Sequence, residues 1–210
     1  MHTQWLNILL WAGAGFLSGS LPFSYWVGKL ALRTDIRQVG DGNPGMTNVL
    51  RAGGVKWGAI AMLLDYFKGA VPVGLAHFVG GITGWAVVPV ALAPVLGHAY
   101  SPILRFKGGK AVAATFGIWS GLTAWEAPVL LGIALGTWTG VLSNSGWAVV
   151  FSLLCFLGPL IAGHRHQPYL FALWGANLAL LAWKYRADLR RRPELRGWIV
   201  RRLGRSQQRE

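Results

Sequence analysis

Charge is scarce in this sequence, and acidic charge is scarcest. Only 13% of its 210 residues are charged, with seven Asp and Glu against twenty Lys and Arg. A soluble domain carries about 25% charged residues to cover its surface. Without that cover, and with 53% hydrophobic residues and a mean hydropathy of +0.42, the chain must take bilayer lipid as its main solvent. A single cysteine, Cys155, lies inside an apolar run. This excludes an intrachain disulfide and leaves a small packed residue. No Lys or Arg precedes the first apolar run, which continues into Ser20-Leu21-Pro22, past the length of a cleavable signal, so it reads as a retained helix. A formal charge of +13 points away from nucleic acid here, because the basic residues crowd at the ends of apolar runs. There they set orientation, touch anionic lipid or hold an anionic substrate.

What is abundant is apolar sequence. A spanning helix needs about 20 predominantly apolar residues, and seven segments read as candidates: about 5–31, 56–79, 85–101, 111–125, 127–143, 145–163 and 168–186. The fourth is short and diluted by Gly117 and Gly121. The expectation is an all-α, polytopic membrane protein of about seven transmembrane helices, with a membrane domain over 1–190 and a basic cytoplasmic tail over 191–210. With the N-terminus outside, inner loops hold Arg33, Arg37, Arg51 and Lys56, then Arg105, Lys107 and Lys110, and ten Lys or Arg follow from Lys184 onward. Seventeen of the twenty basic residues then lie inside, as the positive-inside rule asks. Gly132, Gly136 and Gly140 stand four apart, a spacing that lets two membrane helices approach closely.

Two inner loops carry the chemistry. In the first, Asp35 to Arg51, Gly40, Gly42 and Gly45 interleave with Asn43, Thr47 and Asn48. Such turns aim backbone N–H groups at one anion, and Arg51 adds a bidentate grip on phosphate. An ordinary turn-rich connection has the same composition, and the residues alone do not separate the two. In the second loop Lys107 and Lys110 bracket Gly108-Gly109 where a helix begins, a place that favours negative charge. It lacks the spacing of a Walker A loop, which argues against a nucleotide triphosphatase. The rival reading is a headgroup anchor, but anchoring has no need of two glycines. His98 falls at the end of the third segment as a catalytic candidate or a satisfied polar residue. Asp65 and Lys68, three apart on the second, share a helix face and read as a buried ion pair. His164 and His166, with no nearby carboxylate or Cys, make a poor metal site.

Together these motifs resemble the acyl-phosphate-dependent glycerol-3-phosphate acyltransferases of bacteria, the PlsY-type enzymes. The resemblance rests on Gly19-Ser20-x-Pro22-x-x-Tyr25, on Asp35-x-Arg37 through Gly40, Gly42-Asn43, Gly45 and Thr47-Asn48 to Arg51, on Asp65-x-x-Lys68-Gly69, on Gly97-His98, and on Phe106-Lys107-Gly108-Gly109-Lys110. It implies a seven-helix protein of the inner membrane with its active site on the cytoplasmic face. It implies transfer of a fatty acyl group from acyl phosphate to the 1-hydroxyl of glycerol 3-phosphate, giving lysophosphatidate, without metal, CoA or other cofactor. Its partners would be the two substrates, membrane lipid and the enzyme that forms acyl phosphate. Carried onto this chain, the resemblance makes His98, Lys110 and Arg51 the catalytic group. Gly42, Asn43, Gly45, Thr47, Asn48, Lys107, Gly108 and Gly109 become the phosphate and substrate contacts.

The chain departs from the pattern at four places. Asp41 replaces a usual Ser, Ala111 a usual Gly, Tyr185 and Asp188 a usual His and Asn, and Ser143-Asn144-Ser145 matches a Ser-x-x-Ser turn loosely. Asp41, Tyr185 and Asp188 are therefore expected modulators, with Asp41 turned toward Arg37 or Arg51 so that it does not repel phosphate. The departures also admit a second reading, a weakened paralogue that binds acyl phosphate or phospholipid headgroups. A small transporter is a third, disfavoured because no inverted repeat is visible.

Overall fold

The computed structural model describes residues 2–206, and those residues are helical apart from short connections. In order they form α1 (His2–Ser20), α2 (Phe23–Trp26), α3 (Met46–Gly74), α4 (Val87–Ala99), α5 (Val112–Thr123), α6 (Glu126–Val141), α7 (Ser145–His164), α8 (Pro168–Lys184), α9 (Arg186–Leu189) and α10 (Gly197–Ser206). Every one of the seven apolar segments is helical. Four helical stretches are long and apolar enough to cross a membrane: Gln4–Ala31, Met46–Val79, Gly84–Leu104 and Ser145–His164. The others are shorter. α5, with 12 residues, rises about 18 Å against a hydrocarbon core of about 30 Å.

The first apolar segment, expected as one helix over 5–31, is broken at Pro22. Pro22 has no N–H to continue the ladder, so α1 stops at Ser20 and the chain resumes as α2, followed by a π turn over Val27–Ala31. At the break the Leu21 carbonyl accepts from the Phe23 N–H at 3.1 Å, and Lys68 Nζ of α3 also donates to it at 2.7 Å. Lys68 also pairs with Asp65 Oδ1 at 2.8 Å, both side chains only 2% exposed, and Ser24 Oγ donates to Asp65 Oδ2. The expected ion pair is present and belongs to the packing.

Close helix contacts come from glycines other than those expected. A methyl group on Gly132 would meet only a Phe116 ring atom at 3.8 Å and one on Gly136 or Gly140 nothing within 4 Å, so that stripe makes no close helix contact through its small side, although Trp198 of α10 donates to the Gly140 carbonyl at 3.2 Å. Instead a methyl group on Gly19 would collide with the Pro94 carbonyl and one on Gly97 with the Phe16 carbonyl, which seats α1 on α4. Gly69 and Gly117 do the same for α3 and α5, against Ala114 and Tyr66 carbonyls. Gly117, which weakened the fourth segment as an apolar run, is there for this contact. Between α5, α7 and α8 the buried Trp119 donates to Asn177 Oδ1 at 3.3 Å, and Asn177 Nδ2 to Thr115 at 3.1 Å. These bonds satisfy polar groups that would otherwise be costly inside the bundle.

Beyond residue 190 the chain is tied to the turn between α6 and α7. Ser143 donates its N–H and its hydroxyl to the Glu194 carbonyl at 2.9 and 3.1 Å. Leu142 and Leu195 pair antiparallel, and Arg196 N–H donates to the Val141 carbonyl at 2.8 Å. Residues 207–210 of the basic tail lie outside the described residues.

Candidate active site

The first inner loop folds by local bonds. Asp35 accepts the Arg37 N–H and caps a 3-10 turn over Ile36–Gln38. Its carboxylate also grips the Arg37 guanidinium at 2.6 Å, and this bond holds the Asp35 pKa down at about 2. Asp41 sits between Gly40 and Gly42, whose φ values of 59° and 73° fall where glycine meets no steric cost. The chain then enters α3 earlier than the apolar run predicts. Residues from Met46 are helical up to Gly54, whose φ of 74° splits this arm from the rest of α3. Thr47, Asn48 and Arg51, expected in a loop, therefore stand on a helix, and Asn48 and Arg51 share one face of it. Buried Asn48 donates from Nδ2 to Asp41 Oδ1 at 2.9 Å and to the Asn43 carbonyl at 3.0 Å. Its Oδ1 accepts from Arg51 Nη1 at 3.0 Å. One amide thus fixes the loop and aims the arginine.

The second loop, Lys107 to Lys110, is pressed onto the end of α4. Gly109 N–H donates to the His98 carbonyl at 3.1 Å. Lys184 Nζ, at the end of α8, donates to the carbonyls of Ala99 and Gly108 at 2.9 and 3.1 Å. A methyl group on Gly108 would strike the His98 carbonyl, and one on Gly109 the His98 ring. The two glycines are needed for this packing. His98 lies beneath them, 6% exposed, with Nδ1 3.9 Å from Asp65 Oδ1. The helix begins at Val112, one residue later than expected, because Ala111 is its N-cap with φ 61°. That left-handed conformation is costly for any residue with a Cβ.

Both loops meet at Lys110. Its Nζ is 3.0 Å from Asp41 Oδ2 and 2.9 Å from Asp188 Oδ2, and 4.4 Å from the centre of the Tyr185 ring. Asp41 is therefore turned to Lys110, not to Arg37 or Arg51 as expected, because those arginines are already bonded to Asp35 and Asn48. Burial pushes the Asp41 pKa up, but hydrogen bonds from Lys110, the Asn43 N–H and Asn48, with the charge of Lys110, leave it below the ordinary value. Beside this lysine opens a cavity of about 310 Å³. Its wall carries the cations Arg51, Lys110, Arg191 and Arg192 and the carboxylates Asp41, Asp188 and Glu194. The Ser143-Asn144-Ser145 turn closes one side. Four cations converging on one small polar cavity can hold a phosphate by charge-assisted bonds.

The expected site residues divide accordingly. Arg51, Lys110, Asp41 and Asp188 line the cavity, Asn48 stands behind Arg51 and Asp41, and Tyr185 packs on Lys110. Gly42, Asn43 and Gly45 shape the first loop, with Gly45 capping α3. Thr47 and Lys107 are exposed and off the cavity wall, as are the buried His98, Gly108 and Gly109. Arg192, Glu194 and Lys184 were not singled out from the sequence. They lie in a basic stretch that looks like a solvated tail, and only the strap along 142–143 brings Arg192 and Glu194 to the cavity.

The family model described as glycerol-3-phosphate acyltransferase matches residues 9–194. The chain belongs to that family. Glycerol-3-phosphate acyltransferase from Anaeromyxobacter sp. (strain Fw109-5) is 41% identical over 192 residues, covering 87% of this chain and 91% of the relative. Glycerol-3-phosphate acyltransferase 1 of Thermotoga maritima is 48% identical over 120 residues, so the matched part spans 55% of this chain and 58% of that protein. Among solved structures, the glycerol 3-phosphate form of PlsY, an integral membrane glycerol 3-phosphate acyltransferase, superimposes with a TM-score of 0.80 at 29% identity. The match covers 92% of this chain and 97% of PlsY. The acyltransferase fold is thus present almost end to end, with the cavity inside the matched region.

Proposed function

We propose that this acyltransferase moves a fatty acyl group from acyl phosphate to the 1-hydroxyl of glycerol 3-phosphate. The observation that carries the reading is the cavity where Arg51, Lys110, Arg191 and Arg192 converge, inside a chain of this family. In the reaction the hydroxyl oxygen forms a bond to the acyl carbon, the carbon–oxygen bond to phosphate breaks, and inorganic phosphate leaves carrying the hydroxyl proton. The donor is already activated, so the protein need only position two anions and neutralise charge. Lys110 and Arg51 touch the substrate phosphate in this scheme. His98 acts through Gly109 as a positioning residue under the loop that carries Lys110. The seven apolar segments cross the inner membrane, N-terminus outside, and the cavity faces the cytoplasm. That topology is supported by the meeting of the inner loops, the 143–145 turn and residues 188–194 at one site.

The purified protein should release phosphate and form lysophosphatidate from acyl phosphate and glycerol 3-phosphate, and do neither with acyl-CoA or acyl carrier protein. Binding of both substrates without turnover would replace this reading with the non-catalytic one. Reporter fusions after residues 83, 106, 165 and 205 should read out, in, out and in.

A further inference from the structure

The two carboxylates on Lys110 are held in different ways. Asp188 is fixed. It belongs to α9, its carbonyl accepts from Asn144 Nδ2 at 2.8 Å, and its Cβ packs so tightly on Gly146 that a methyl group there would not fit. Asp41 is held at the surface. Its side chain is 47% exposed and is held by side-chain bonds at the open edge of a turn, where Gly42 has only the Arg37 carbonyl near it and Gly40 packs against the Arg51 and Asn48 side chains. Its partners are Lys110 Nζ, the Asn48 amide and the Asn43 N–H. Each of these is a donor that a phosphate oxygen would also accept from.

We propose that Asp41 is an electrostatic gate on the phosphate site: its carboxylate and the phosphate of the incoming acceptor compete for Lys110, while Asp188 tethers the lysine for either one. The gate rests on the acyltransferase reading for its substrate, though the competition itself needs only a phosphate. Displacing the Asp41 carboxylate is feasible because its side chain is 47% exposed, so a rotation of that side chain hands it to water. Displacing Asp188 would unpack α9 from Gly146. The cavity wall carries four cations against three carboxylates, so neutralising Asp41 doubles its net positive charge. Asp41 titrates below the ordinary carboxylate range and stays charged wherever a phosphate monoester is a dianion. The gate therefore works throughout the neutral range and sets affinity, not pH response.

The test uses the full chain in detergent or proteoliposomes. Asp41→Asn and Asp41→Ser should each lower the KM for glycerol 3-phosphate, and the inhibition constant of inorganic phosphate, about tenfold. Any change in kcat should be smaller than the fall in KM. Asp188→Asn, which frees the lysine, should lower kcat about tenfold or more and change KM less. An unchanged or raised KM in both Asp41 variants, or a kcat that falls tenfold with them, overturns the gate, and normal wild-type turnover would then leave the acyltransferase reading standing. If the wild type shows no turnover, calorimetric titration with inorganic phosphate still decides the gate. Tighter binding by Asp41→Asn than by wild type supports it, and equal or weaker binding sinks it.

Discussion

Two lysine–aspartate pairs in this protein have nearly the same geometry and opposite surroundings. Lys68 and Asp65 meet at 2.8 Å with both side chains 2% exposed. Lys110 meets Asp188 at 2.9 Å and Asp41 at 3.0 Å, with the lysine 21% and the aspartates 34% and 47% exposed. The first pair is sealed among helices, where its charges answer each other, the Leu21 carbonyl, Ser24 and the buried His98 ring. The second borders a cavity, so its charges can be exchanged for those of a ligand. Distance alone does not tell a structural pair from a working one. Access and the rigidity of each partner do.

The largest effect should come from breaking the sealed pair. Asp65→Ala or Lys68→Ala leaves an uncompensated buried charge, which costs about 3–5 kcal/mol. Each variant should be recovered from membranes poorly or unfold at much lower temperature, and joint Asp65→Asn/Lys68→Met should regain part of the loss. Equal stability of the single variants and wild type would remove the distinction. Next, Lys110→Ala and Arg51→Ala should each reduce turnover about tenfold to a hundredfold, the value of a charge-assisted contact of about 1.5–3 kcal/mol. The thermal midpoint should hardly move, and activity close to wild type in both would move the site elsewhere.

A smaller effect sharpens the comparison from the backbone side. Ala111→Gly relieves a left-handed φ of 61° at the joint behind Lys110 and should stabilise the protein by about 1 kcal/mol, read in thermal or denaturant unfolding. Smallest of all, Asp35→Asn cuts an exposed clasp worth under about 1 kcal/mol. The folded pKa of Asp35, about 2, lies below the unfolded value of about 3.9. Its contribution is therefore complete above pH 4 or so and lost as the pH falls through 2. The midpoints of variant and wild type should differ slightly at pH 6 and converge near pH 2.

Much of this was legible in the sequence because membrane solvent leaves simple marks. Apolar runs located the helices, though the break at Pro22 in the first was not read, and the i, i+3 spacing of Asp65 and Lys68 gave the pair. The basic glycine loops pointed to Arg51 and Lys110 on the cavity wall. What escaped was long-range. No local pattern says that Asp41 and Asp188, 147 positions apart, share one lysine, or that Arg192 and Glu194 return to the turn at Ser143. The helical arm before Gly54 was missed because Thr47, Asn48, Arg51 and Gly53 interrupt its apolar residues, and an apolar-run criterion does not see a short amphipathic helix. Gly132, Gly136 and Gly140 misled because spacing names a surface on which helices can meet, whereas the meeting itself depends on partners elsewhere.

The strap that joins Glu194 and Arg196 to residues 141–143 has a consequence for how the enzyme is made. Helices enter the bilayer in the order of synthesis, and Arg51 and Lys110 are in place while the last third of the chain is still being translated. The wall formed by Asp188, Arg191 and Glu194 cannot close until α8 has emerged and the strap has docked. A chain stalled or clipped before that point has the lysine without the residue that steadies it and half the basic wall. On the proposed function, such a chain should not hold a phosphorylated substrate until its final helix has been inserted.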